Sequence, residues 1–109
     1  MEESTKHENI NLSEAERVLK ELPIVNNMQS NAGNDIANQF IISGFGYTLF
    51  QSYQSPIALR KGGITYIFKN WNYSVTTGKY RNMFLNECKK ETVAKLKSGE
   101  YVKVDFEVV

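Results

Sequence analysis

Residues 47–68 read Tyr47-Thr48-Leu49-Phe50-Gln51-Ser52-Tyr53-Gln54-Ser55-Pro56-Ile57-Ala58-Leu59-Arg60-Lys61-Gly62-Gly63-Ile64-Thr65-Tyr66-Ile67-Phe68, and this stretch decides the fold. From Tyr47 to Tyr53 the side chains alternate, with Tyr47, Leu49, Gln51 and Tyr53 set against Thr48, Phe50 and Ser52, which is the period of a strand. Pro56 marks a break, and the chain from Ile57 to Arg60 is strand-like again. Lys61-Gly62-Gly63 reads as a tight turn, because hairpin turns ask for positive φ and glycine supplies it without steric cost. Beyond it Ile64, Tyr66 and Phe68 alternate with Thr65 and Ile67. Upstream, Phe40-Ile41-Ile42 is a short apolar run that Ser43-Gly44-Phe45-Gly46 joins to Tyr47. Two antiparallel hairpins follow.

Downstream the period changes. Ser74-Val75-Thr76-Thr77 offers several N-cap oxygens, and Tyr80, Phe84, Leu85 and Cys88 recur at helical spacing, which predicts a helix from about Thr77 to Glu87. Cys88, spaced by one turn from Phe84, reads as a small buried hydrophobe. The helical pattern resumes from Glu91 to Lys97 with Val93 and Leu96, and Ser98-Gly99 stops it. From Tyr101 to Val109 the alternation returns, with Val102, Val104, Phe106 and Val108 expected to face in and Lys103, Asp105 and Glu107 to face out. The expected fold is α+β, a four- or five-stranded mostly antiparallel sheet with two short helices on one face.

All thirteen aromatic residues lie after residue 37. The core domain is therefore placed at 38–109, with 1–37 as an acidic appendage. In the appendage, Ser13-Glu14-Ala15-Glu16 is a capping box ahead of a helix over about Glu14–Leu22, which Pro23 ends. Leu12, Val18, Leu19 and Leu22 give that helix one apolar stripe, which needs a partner surface. Residues 26–38 read as an Asn-rich linker with little to bury. On this reading a chain beginning near Asn38 folds by itself.

The chain of 109 residues, 41% hydrophobic and 23% charged, is sized for one core. No apolar run approaches the roughly 18 residues that span a bilayer. The opening Met1-Glu2-Glu3-Ser4-Thr5-Lys6-His7-Glu8 is acidic and polar where a secretory signal is basic and then apolar, so a cytoplasmic location is expected, without membrane association. A lone cysteine and a lone histidine, Cys88 and His7, leave no internal disulfide or multi-cysteine metal site, and largely exclude Ser-His-Asp, Cys-His and His-rich zinc chemistry. Charge is unevenly spread. Residues 1–37 hold seven acids and three bases, 38–59 hold no charge, 60–103 hold ten bases and three acids, and the last six hold two acids. The basic block suits a polyanion or an acidic protein face, although a lysine-rich surface kept for solubility has the same composition.

The densest chemistry lies between Trp71 and Arg81, where the aromatics Trp71 and Tyr73, the hydroxyls of Ser74, Thr76 and Thr77, and the cations Lys79 and Arg81 surround a predicted helix N-terminus. Free backbone N–H groups and the helix dipole favour phosphate there. The candidate binding residues are Trp71 and Tyr73 for stacking on a base, Thr76 and Thr77 for holding phosphate, Lys79 and Arg81 for neutralising charge, and Lys89 and Lys90 as a basic rim. The plainer alternative makes Ser74 or Thr76 a helix cap and Trp71 and Tyr80 core residues. An enzymatic reading has one handle, Asp105 and Glu107 on one strand face with Glu100 or Glu91 as further metal ligands, and no third ligand falls at a recognisable spacing. No catalysis, cofactor or metal is expected.

Three segments carry a resemblance: Phe50-Gln51-Ser52-Tyr53-Gln54-Ser55, the run from Trp71 to Leu85 with its Tyr73-Ser74-x-Thr76-Thr77-x-Lys79-Tyr80 pattern, and Lys97-Ser98-Gly99-Glu100-Tyr101. They resemble an uncharacterised family of small proteins of tailed phages and other mobile elements, over about residues 39–106. The resemblance implies a phage-type origin and brings no reaction with it. Two functions are expected on that footing. One is a binding module for nucleic acid or a nucleoprotein. The other is a counter-defence inhibitor, for instance an anti-CRISPR protein, that binds a host effector such as a CRISPR nuclease.

Overall fold

The computed structural model describes residues 15–16 and 21–105. A six-stranded mixed sheet runs in chain order, from β1 (Ile24–Gln29) through β2 (Asp35–Gly44), β3 (Tyr47–Ser52), β4 (Ser55–Lys61) and β5 (Ile64–Ile67) to β6 (Tyr101–Lys103). The first five strands form an antiparallel meander. Between β5 and β6 stand two helices, α1 (Val75–Leu85) and α2 (Lys89–Ser98), and this crossover brings β6 in parallel to β5. Gly62 and Gly63, at φ 61° and 77°, form the β4–β5 turn that needs two positive-φ residues in succession.

The α+β class and both expected hairpins are present, but the sheet has six strands rather than four or five. The difference lies in the stretch expected to be an Asn-rich linker. Residues 24–29 form β1, and β2 starts at Asp35, so the sheet begins at Ile24 and not at Asn38. Asparagine-rich sequence suffices there because strand pairing uses the backbone. Asn26 stays exposed at the sheet edge, and Asn27 turns its amide back to the Ile36 carbonyl at 2.9 Å. Only Met28 of β1 is buried. Opposite it β2 bulges, with residues 36–39 facing that one position, and Asn38 enters the left-handed region at φ 64°. The expected helix over Glu14–Leu22 falls mostly outside the described residues.

The core fills one face of the sheet. Register places Ile41, Phe50, Ala58 and Ile67 in one row. A bulge in β4 adds Ile57 beside Ala58, and both are fully buried. From α1, Tyr80, Phe84 and Leu85 pack onto these residues, and Leu96 of α2 joins them with Tyr101 of β6. Phe50 and Phe84 stack with ring centroids 5.8 Å apart.

The alternation of the last strand has the opposite phase to that expected. Tyr101 is the inward residue and Val102 is 42% exposed on the other face, because the Tyr101 hydroxyl donates a 2.6 Å hydrogen bond to Glu87 in the α1–α2 junction. Phe106 and the residues after it lie outside those described. Cys88 is likewise exposed rather than buried. Asn86, at φ 56°, ends α1 and swings the chain so that Cys88 starts α2, with its thiol directed to Glu91 at 3.3 Å.

Glu87 ties this half of the fold together. Its side chain is 2% exposed and receives Thr92 Oγ1 at 2.5 Å, Lys95 Nζ at 2.8 Å and Tyr101 Oη at 2.6 Å. Burial by itself would push its carboxyl up, but the donors from Lys95, Thr92 and Tyr101 outweigh that and hold it below the ordinary range. In return the Glu87 hydrogen bond raises Lys95, while burial and then Glu87 raise Tyr101. A carboxyl depressed in the folded state contributes stability that is present above its unfolded value, near pH 4.3, and is lost as pH falls through the folded value. Glu87→Gln is expected to cost about 2 kcal/mol at neutral pH and to flatten the loss of stability below about pH 4 in urea titrations. A chain starting at Asn38, which lacks Met28 and Ile36 of the core, is expected to lose cooperative thermal unfolding as followed by circular dichroism.

Candidate functional site

The loop after β5 brings Trp71 to Ser74 up to the start of α1. Ser74 is the N-cap: its hydroxyl accepts the Thr77 N–H at 3.1 Å. Thr77 is fully buried, its hydroxyl 2.9 Å from that of Ser52 on β3 and 3.0 Å from that of Ser74. This chain of hydroxyls fixes the helix start to the sheet and removes Thr77 from any ligand. Thr76 remains exposed in the first turn, where the earliest N–H groups of a helix have no intrahelical acceptor. No acidic residue stands in that turn.

Arg81 is not a surface cation. Its residue is 1% exposed, and its guanidinium donates to the Trp71 carbonyl at 2.8 Å, to Asn72 Oδ1 at 3.2 Å and to Asn82 Oδ1 at 2.8 Å, while lying 5.0 Å from the Trp71 ring centre. Burial pulls its pKa down and the field of Glu87 pushes it up. The planar donor fork suits this set of carbonyl and amide oxygens, so Arg81 staples the Trp71–Asn72 loop to α1. Trp71 is half-buried and packs against both core clusters.

Above the staple is an open cleft of about 640 Å³ lined by Tyr73, Ser74, Val75, Lys79, Arg81 and Lys89, among others. Tyr73 is 52% exposed and Val75 92% exposed. Lys79 is exposed, with its ammonium 5.4 Å from the centre of the Tyr80 ring, whereas Tyr80 itself is core. Of the eight residues expected to bind, the cleft brings together Tyr73, Lys79, Arg81 and Lys89. Trp71, Thr77, Thr76 and Lys90 do not line it; the first two serve the fold and the last two are exposed nearby. The carboxylates of the enzymatic reading are not gathered: Asp105 lies 3.7 Å from Lys103, Glu107 is outside the described residues, and among the described residues no three metal-ligating side chains cluster.

A family profile matches residues 24–103, from the first residue of β1 to the last of β6. The chain belongs to DUF8033, a family of unknown function. No curated protein and no solved structure matches it. The DUF8033 region thus includes β1, in agreement with the sheet and against a boundary at Asn38. Sequence reasoning also missed Asn72 and Asn82, whose side chains hold Arg81 and line the cleft; asparagine next to a cation carries no distinctive pattern. Arg81→Met is expected to lower unfolding stability by about 3 kcal/mol, because several buried oxygens lose a charged donor, whereas Lys79→Ala leaves the urea midpoint within error.

Proposed function

We propose that this chain is a non-enzymatic binding module that takes nucleic acid, free or within a nucleoprotein, into the cleft at the start of α1. The observation that carries this reading is the cleft's composition. Lys79 and Lys89 sit over a buried Arg81, beside an exposed Tyr73 and an acid-free helix N-terminus. Cations and the helix dipole attract phosphate, and an exposed tyrosine gives a base a face to stack on. Arg81 contributes field and rigidity from beneath, and the contacts themselves fall to Tyr73, Lys79 and Lys89. A second reading, an inhibitor that docks on a host effector protein such as a CRISPR nuclease, draws on Val75 and Tyr73, since apolar surface beside lysines also suits a protein partner.

Fluorescence anisotropy with a labelled single-stranded oligonucleotide separates the two. The nucleic-acid reading expects affinity to fall linearly with the logarithm of salt, and Lys79→Ala and Lys89→Ala each to reduce the slope by about 0.7 without altering thermal stability. Absence of binding at low salt, together with capture of a nuclease-treated effector that Tyr73→Ala abolishes, would favour the protein partner instead.

A further inference from the structure

Gln39 is the buried polar side chain that the fold leaves unanswered. It lies on the inward side of β2, two residues before Ile41, and it is fully buried. Among the described residues neither its Nε2 nor its Oε1 has a hydrogen-bond partner. A buried amide in that condition has lost its hydration without replacing it, and native interiors rarely leave one so. Ser52, Thr77, Arg81 and Thr92, the other buried polar residues, all have partners. Register gives Gln39 a neighbour, because its partner across β2 and β3 is Ser52, on the same face of the sheet. Ser52 ends a line of hydroxyls that begins at the cap of α1: Ser74 donates to Thr77 Oγ1 at 3.0 Å, and Thr77 Oγ1 lies 2.9 Å from Ser52 Oγ. Three hydroxyls own three protons, and the two bonds among them use two. With Ser74 donating to Thr77 and Thr77 to Ser52, the third proton is that of Ser52, and no described side chain accepts it. The line therefore ends in a free donor beside an amide that lacks both a donor and an acceptor. Next to this pair the backbone is clasped. Asn38 and Tyr53, at φ 64° and 56°, are both left-handed, and the Tyr53 N–H donates to the Asn38 carbonyl at 2.7 Å. Residues other than glycine hold that conformation at a cost, where the surrounding structure fixes them.

We propose that Gln39 and Ser52 form an internal binding site for water. One molecule accepts the Ser52 proton and donates to Gln39 Oε1, and a second accepts from Gln39 Nε2. The chemistry of the site selects this ligand. Oε1 needs a donor while Ser52 and Nε2 need acceptors, so the occupant both gives and takes hydrogen bonds. It is neutral, because the group contains no charged side chain, and it is small, because Gln39, Ser52 and Thr77 are all fully buried. Two hydrogen bonds of about 2.8 Å let one water join polar atoms about 5 Å apart, a span within reach of side chains directly opposed on neighbouring strands. A direct bond from Ser52 to Gln39 answers Oε1 alone and leaves Nε2 without an acceptor. The water continues the line of hydroxyls from the helix cap into the bulged segment of β2. The start of α1, and with it the Ser74 wall of the cleft, is then fixed to β2 as well as to β3. The proposal holds whatever the cleft binds.

Nuclear magnetic resonance on the unaltered, isotope-labelled full chain tests it. The expected result is cross-relaxation between water and the Gln39 side-chain amide protons, with opposite signs in the laboratory and rotating frames, as a long-resident water gives. No cross-relaxation at Gln39, or the signature of a fast-exchanging surface water, would overturn the proposal. A second measurement uses Gln39→Met, which keeps the length of the side chain and removes both polar ends. With water in the site, the variant strands a hydrogen-bonded molecule beside Ser52, and the urea midpoint is expected to fall by about 0.5 M with an unchanged slope. A midpoint that stays or rises is the result for an amide that was never bonded, and it too would overturn the proposal. If the variant does not fold, the cross-relaxation of the unaltered chain decides alone.

Discussion

The Glu87 carboxylate is the constraint on which the closing half of the fold depends. A meander of five antiparallel strands completes itself with local turns, but β6 has to return from two helices and pair in parallel over three residues. So short a strand supplies little pairing energy of its own. It is held because one nearly inaccessible carboxylate, placed by the left-handed turn at Asn86, accepts from Thr92 and Lys95 of α2 and from Tyr101 of β6. The same carboxylate thus adds a polar tie to the apolar packing of Leu85 and Leu96 on Tyr101. The anion stays charged there because three donors offset its loss of water.

Arg81 does for the cleft what Glu87 does for the last strand. The buried guanidinium is satisfied by the Trp71 carbonyl and two asparagine amides, and Glu87 acts on it only through its field. Arg60 plays a related part at the other end of α1, donating to the Leu85 carbonyl at 3.3 Å and lying over Phe84. Cations thus flank both ends of one helix for structural reasons, and the two exposed lysines at its start add to a field that already exists.

How much of this was legible in the sequence follows from how local each determinant is. The two hairpins could be read because alternation and a Gly-Gly turn lie within a few residues of one another. Strand β1 could not, since Asn26, Asn27 and Gln29 hide a pairing that rests on backbone hydrogen bonds and on one buried methionine. The phase of β6 was misread because valines at even positions suggest an inward face, whereas Tyr101 is drawn inward by a partner in the α1–α2 junction. At the cleft, the sequence located the region and named Tyr73, Lys79 and Lys89, but side-chain type alone does not distinguish a guanidinium that meets solvent from one closed in by asparagines.

The bulge opposite Met28 divides the outer hairpin into two parts with different supports. Toward Ile24, β1 pairs with a stretch of β2 that is itself flanked by β3. Beyond Asn38 the register changes, β3 has ended at Ser52, and the tip from Gln29 to Asp35 is held by its own turn, in which the Ser30 hydroxyl accepts the Asn34 N–H at 3.2 Å. The Asn38 carbonyl, accepting the Tyr53 N–H at 2.7 Å, is the last tie to the third strand. Amide protons past that tie can therefore exchange with solvent through a local opening that leaves the rest of the sheet closed, so the tip behaves as a separate cooperative unit.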